Sequence, residues 1–157
     1  MSLETKTTLT KETLDTLQDL IQVNLDSQLG LKDAADSVND PVVEELFRSV
    51  LSERCHFADE LKMYVEWNDE CACDEQSWSG KVHQLWMDIR AKINSGDAYV
   101  ILIEAERGED HIKSAYEDAL KGNPGSAVSE ILHHQYAIVK RGHDRIRDLR
   151  DLYSEKS

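Results

Sequence analysis

The sequence predicts an all-α fold: four long helices joined as two hairpins, with a shorter helix in the connection between them. Three observations carry this. Apolar residues recur at helical spacing through most of the chain. Only two prolines, Pro41 and Pro124, and seven glycines interrupt it, so loops are few. No stretch alternates with the two-residue period of a strand. At 157 residues, 40% hydrophobic and 31% charged, the chain is expected to form one domain, 1–157, with a substantial core.

Residues 1–9 are polar and threonine-rich, and a frayed start is expected. Thr10 is a candidate N-cap for the first helix, about 11–38, with Glu12 favourable in its first turn. Leu14, Leu17, Ile21, Leu31, Ala35 and Val38 mark the stripe it buries. Asn39-Asp40-Pro41 makes a corner. There Asp40 caps the second helix, about 41–67, and Pro41 takes its first position, where a missing N–H costs nothing. Its stripe is Val43, Phe47, Val50, Phe57, Leu61 and Tyr64. After a loop at 68–78 comes a short helix, about 81–95, with Val82, Leu85, Trp86, Ile89 and Ile93 on one face and Ser95-Gly96 as its stop. Asp97 caps the next long helix, about 97–121, which buries Ile101, Leu102, Ala105, Ile112, Tyr116 and Ala119. Gly122-Asn123-Pro124-Gly125 ends it. The last helix, about 126–153, carries Val128, Ile131, Leu132, Val139, Ile146, Leu149 and Leu152. At about 1.5 Å per residue each long helix spans roughly 38 Å. The tight corners make two antiparallel hairpins. The connection between them is long enough for a crossover along the whole bundle, which sets the second and fourth elements parallel. That is the ferritin-like layout: a four-helix bundle with a long crossover carrying a short extra helix.

All four long helices turn polar at mid-length. The stripes carry Asn24 and Gln28, then Arg54, then Glu109 within Glu106-Arg107-Gly108-Glu109-Asp110, then Gln135 and Gly142. An acid projecting into a bundle is a metal ligand, a proton-transfer group or half of a buried ion pair. Glu53-x-x-His56 and Glu130-x-x-His133 each place a carboxylate and an imidazole one turn apart, the spacing of di-iron and di-manganese bundles. With Glu109 they make a candidate metal set: Glu53, His56, Glu109, Glu130 and His133. Depth weighs against it. Folding the first hairpin about its corner levels Asp26 with Glu53 at about 20 Å, whereas Glu130 meets Glu117 at only about 10 Å from the second corner. Glu106 and Glu109 fall level with Arg141 and Ile138, which offer no carboxylate. Arg54 weighs against it too, because a guanidinium beside Glu106 or Glu109 substitutes for a cation. The favoured reading is a buried polar layer of Asn24, Gln28, Arg54, Glu106, Glu109 and Gln135 with no cofactor. Iron or manganese, in a di-metal oxidase, peroxidase or metal-storage protein built on the Glu-x-x-His motifs, is the alternative. His133, His134 and His143 are further candidates for partial metal binding.

The net charge of −13 excludes nucleic acid and anionic membranes as natural partners, since phosphate binding needs clustered Lys and Arg. No apolar run is long enough to span a membrane, and the opening stretch has no apolar signal segment, so a cytoplasmic location is expected. Three cysteines, Cys55, Cys71 and Cys73, do not make a disulfide scaffold. Cys71-Ala-Cys73 in an acidic loop could hold a soft metal or oxidise, or the loop could serve as an interaction module. Trp67, Trp78 and Trp86 are expected to pack the connection onto the bundle. No nucleophile constellation and no phosphate loop stands out. Self-association into a homo-oligomer is expected.

From about Leu14 to Leu152 the chain resembles a bacterial family of ferritin-like four-helix bundles of unknown function. The carrying stretches are Leu20-Ile21-Gln22-Val23-Asn24-Leu25-Asp26, the Arg54, Phe57 and Leu61 segment, Trp86-Met87-Asp88, and above all Glu106-Arg107-Gly108-Glu109-Asp110 followed by Tyr116-Glu117-Asp118-Ala119-Leu120. The resemblance implies a ferritin-like fold and a stress-related role. It supplies no established ligand set.

Overall fold

The computed structural model describes residues 4–72, 80–93, 97–122 and 127–155, the side chains of 80–86 excepted. The protein is all-helical in these residues: α1 Lys11–Ser37, α2 Pro41–Trp67, α3 Gly80–Ile93, α4 Ala98–Gly122 and α5 Ser129–Ser154.

Local chemistry sets most of the ends. Thr10 caps α1 by accepting a hydrogen bond from the Thr13 amide. Asp40 Oδ1 accepts from the amides of Val42 and Val43 at the start of α2, with Pro41 in the first turn. Asp97 Oδ1 accepts from the Val100 amide at 3.1 Å. Past the end of α2, Asp69 sits in the left-handed region at φ 60°, where short polar side chains are tolerated. The Gly122–Gly125 stop and the Ser95-Gly96 stop fall largely outside the described residues.

The opening segment is more ordered than its composition suggests. Glu4 accepts from the backbone amides of Thr10 at 2.8 Å and Ala127 at 3.0 Å. Asn68 grips the same segment, accepting from the Leu9 amide and donating to the Lys6 carbonyl, both at 2.8 Å. The start of the segment, residues 1–3, where fraying is expected, lies outside the described residues. The Asn68 side chain and the Ala127 amide, both far along the chain, thus hold residues 4–9.

The core is divided into two clusters. One gathers Leu31 and Ala34 of α1 with Val38 just past its end, Val43, Phe47 and Val50 of α2, Ile101, Leu102 and Ala105 of α4, and Ile146 of α5. Ile89 and Ile93 of α3 complete it. The other gathers Leu17, Leu20 and Ile21, Phe57, Leu61 and Val65, Ile112 and Tyr116, and Leu132 and Val139. A fully buried Leu, Ile or Phe stabilises by about 1.5–3 kcal/mol relative to an exposed one, so both ends of the molecule are firmly held. Membership also gives the helix directions. α1 and α5 join one cluster by their N-terminal halves where α2 and α4 join it by their C-terminal halves. The second and fourth helices therefore run the same way. α1 packs most closely on α2, and α4 on α5; α1 also packs on α4, and α2 on α5. α2 and α4 thus face each other diagonally across the centre.

Candidate functional site

The gap between the two clusters is where the side chains turn polar. Arg54 of α2 is 0% exposed and Glu109 of α4 is 1% exposed. Arg54 Nη2 donates to Glu109 Oε2 at 2.5 Å, a contact across the bundle diagonal. Such a charge-assisted bond is among the stronger ones a protein makes. Glu53 adds a second carboxylate, its Oε1 3.9 Å from Arg54 Nη1 and 3.6 Å from Arg145 Nη2. Gly142 of α5 makes room for the guanidinium: a Cβ there would lie 3.3 Å from Arg54 Nη2 and 3.7 Å from Glu53 Oε1. A narrow crevice lined by Ser27, Gly30, Ile89 and Gly108 reaches Glu109 from the α3 side.

Beside this pair runs a chain of hydrogen bonds that touches every long helix. Asn24 Nδ2 donates to the Leu20 carbonyl at 2.8 Å and to the Tyr116 hydroxyl at 3.0 Å. Tyr116 in turn donates to Gln135 Oε1 at 2.6 Å, and Gln135 Nε2 donates to Glu60 Oε1 at 2.8 Å. Burial pushes the Tyr116 hydroxyl far above the ordinary phenol range, outweighing the hydrogen bond from Asn24. It therefore stays protonated and serves as a donor. Gln28 makes a long contact, 3.4 Å, to the Arg54 carbonyl. The middle of the bundle thus holds a buried ion pair beside a hydrogen-bonded relay that ends on the Glu60 carboxylate.

The Glu106–Asp110 run divides among three directions. Gly108 and Glu109 turn inward. Arg107 turns toward α3, where its Nη1 meets Asp88 at 2.9 Å and Glu104 at 2.7 Å. Glu106 and Asp110, one turn apart, face α5. Glu106 pairs with Arg150. Asp110 Oδ1 lies 2.6 Å from His143 Nε2, and Asp144 Oδ1 lies 3.2 Å from His143 Nδ1. The hydrogen bond with His143 holds the Asp144 carboxyl below the usual range, and the charge of Arg147 adds to this.

A family model described as a domain of unknown function, DUF2383, matches residues 12–122. The chain belongs to the DUF2383 family. No curated protein matches it. The matched stretch runs from α1 to the end of α4, so it includes Arg54, Glu106, Glu109 and Asp110 and stops short of Gly142 and His143 on α5.

In this DUF2383 chain the five residues of the sequence-based metal set do not gather. Glu53 and Glu109 lie in the middle layer, Glu53 half-buried and Glu109 fully so. His56 of α2 and Glu130 and His133 of α5 are exposed, with Glu130 in the first turn of its helix. The residues present do not fit a paired-metal centre, because the buried carboxylate is already bonded to Arg54. Among the described residues, the group of three His, Cys, Asp or Glu side chains whose donor atoms all approach within 4.8 Å is Glu106, Asp110 and His143.

The hairpin register explains part of this. Ala127 and Val128 form a turn and α5 begins at Ser129, later than the expected start near 126. Glu106 consequently meets Arg150, not Arg141, and Asp110 meets His143. Glu106 thereby lies outside the central layer proposed for it. Sequence reasoning also placed Tyr116 in an apolar stripe and missed its hydroxyl, which links Asn24 to Gln135. The one available signal was the alignment of three polar positions at a common depth. Of the cysteines, Cys55 is half-buried and its thiol is pushed up by burial and by Asp59, while Cys71 is exposed and Cys73 lies outside the described residues. Trp67 is 48% exposed, edge-on to Tyr64; Trp78 and the Trp86 side chain lie outside the described residues. No described helix is long and apolar enough to cross a membrane.

Proposed function

We propose that this DUF2383 chain is a non-catalytic ferritin-like bundle in which an arginine–carboxylate pair takes the place of a paired-metal centre. The carrying observation is the Arg54–Glu109 contact at 2.5 Å, with both side chains fully buried between two apolar clusters. A guanidinium on that carboxylate supplies the positive charge a metal ion would bring, and it does so without redox or Lewis-acid chemistry. The ferritin-like reading draws support from the parallel run of α2 and α4, which requires the connection between them to traverse the bundle. Its role on this reading is structural or recognitional. The stress-related role belongs to the resemblance, and self-association to the exposed apolar side chains discussed below.

Elemental analysis tests the proposal, on untagged protein from medium supplemented with iron and manganese and purified without chelator. The reading predicts no pair of iron or manganese ions. Two equivalents per chain that disappear in His56→Asn or Glu130→Gln would overturn it.

A further inference from the structure

We propose that Glu106, Asp110 and His143 form a site for a single divalent transition cation of the zinc or manganese class, on the outer seam between α4 and α5. The site shares no ligand with the Arg54–Glu109 pair, so it stands or falls independently of the structural reading above.

The imidazole of His143 is the centre of the group. The His143 side chain is 9% exposed, yet it sits among charges and not in the apolar core. Its two ring nitrogens have different partners. Nδ1 faces Asp144 on the next position of the same helix, at 3.2 Å. Nε2 faces across the seam to Asp110 at 2.6 Å, with a Glu106 carboxylate oxygen in the same group. With Nε2 deprotonated, this becomes the arrangement metal-binding histidines use. One nitrogen donates to a carboxylate, which fixes the tautomer and the ring plane, and the other presents its lone pair to the ion. Asp144 would be that outer partner, and Arg147 holds it in turn at 3.2 Å.

The donor set is also chemically apt. One neutral imidazole and two carboxylates suit zinc, manganese or ferrous iron and not calcium or copper(I). Glu106 and Asp110 stand four residues apart on α4, so one helix face offers both oxygens, and α5 supplies the nitrogen. Three protein ligands leave a position open to water, and the 62% exposure of Asp110 gives the ion a way in. Loading needs two exchanges: the proton that Nε2 shares with Asp110 leaves to solvent as the ion takes the lone pair, and Glu106 changes partner. Arg150 must release Glu106, and it already has a second carboxylate, Asp151, at 2.8 Å. Three carboxylates, Glu106, Asp110 and Asp144, stand against two guanidiniums, Arg147 and Arg150, so the locality is net negative before the ion arrives. The −13 charge of the whole chain concentrates cations further.

The experiment is competition for Zn²⁺ between the full chain and a chromophoric chelator, with wild type and variants. Wild type is expected to take about one equivalent at this site. Asp110→Asn and His143→Asn should weaken binding by about tenfold or more. Asp110 is exposed, so its variant separates ligand loss from misfolding. His56→Asn and His133→Asn should bind as wild type. Nitrogen-15 spectra of the histidine rings give a direct second readout: Zn²⁺ should shift Nε2 of His143 while Nδ1 stays protonated. No zinc uptake by wild type, undiminished uptake by Asp110→Asn, or a ring shift confined to other histidines would each overturn the proposal.

Discussion

Among single residues, Arg54 decides how the middle of the bundle is held. A buried ion pair is weak evidence of net stability, because taking two charges out of water costs several kcal/mol per ion, which their attraction must offset. Breaking it from one side is another matter. Arg54→Ala leaves Glu109, 1% exposed, as an uncompensated buried carboxylate. It should destabilise the fold by about 3–5 kcal/mol in denaturant titration at neutral pH. Replacing both partners, Arg54→Met with Glu109→Leu, removes the charge and keeps most of the volume. That double variant should be near wild type, or more stable by about 1–4 kcal/mol. If the single and double variants lose the same stability, the pair is not the source of the effect and the middle layer must be held by the Asn24–Tyr116–Gln135 relay. Gly142 belongs to the same account: the guanidinium lies where its Cβ would crowd.

At the scale of elements, the corners carry the information that was easiest to read. Asp40-Pro41 announces a helix start because the cap, the proline and the orphan amides all lie within a few residues. Thr10 does the same for α1. The register of α4 on α5 was not legible by the same means. It depends on a turn at Ala127 and Val128 and on long side chains such as Arg150 that reach past the level a simple fold-over assigns them. The polar middle was legible as a loss of apolar residues at matched depth, but its partners were not, since Tyr116 reads as apolar by periodicity and bonds through its hydroxyl. One tertiary latch ties two ends together. Tyr153, near the end of α5, donates its hydroxyl proton to Asp40 Oδ2, on the carboxylate that caps α2. That bond raises the phenol to about 12, with burial and the Asp40 charge acting the same way. A phenol raised above its unfolded value near 10 contributes stability that is fully present below about pH 10 and is lost as pH climbs through about 12. Wild type should therefore lose melting temperature across that window more steeply than Tyr153→Phe. Parallel curves for the two proteins would rule the latch out.

At the scale of the whole molecule, two features oppose each other. The net charge of −13 drives copies apart. Surface pairs hold the elements together within each copy: Arg90 with Asp33 at 2.6 Å and Arg107 with Asp88 at 2.9 Å fasten α3 to α1 and α4, and Arg48 bridges Asp36 and Glu44. Against the repulsion stands an apolar groove at one end, lined by Val42 and Leu46 of α2 and Leu149 and Leu152 of α5, with Arg145 and Asp148 at its rim. Val42 is 60% exposed and Leu152 49%. Large apolar side chains clustered in this way mark a contact surface more often than isolated ones do. If two copies meet there, the hydrophobic gain is nearly independent of salt while the repulsion is screened, with a Debye length of about 10 Å at 0.1 M. Association should then strengthen as salt rises from about 50 mM to about 300 mM, the reverse of what an interface built on opposite charges would do. Leu152→Glu adds charge to the groove without touching the middle layer, and it should hold the protein monomeric at both salt concentrations in sedimentation velocity. A wild-type protein that is monomeric throughout, or an association that Leu152→Glu leaves intact, would remove this groove as the interface.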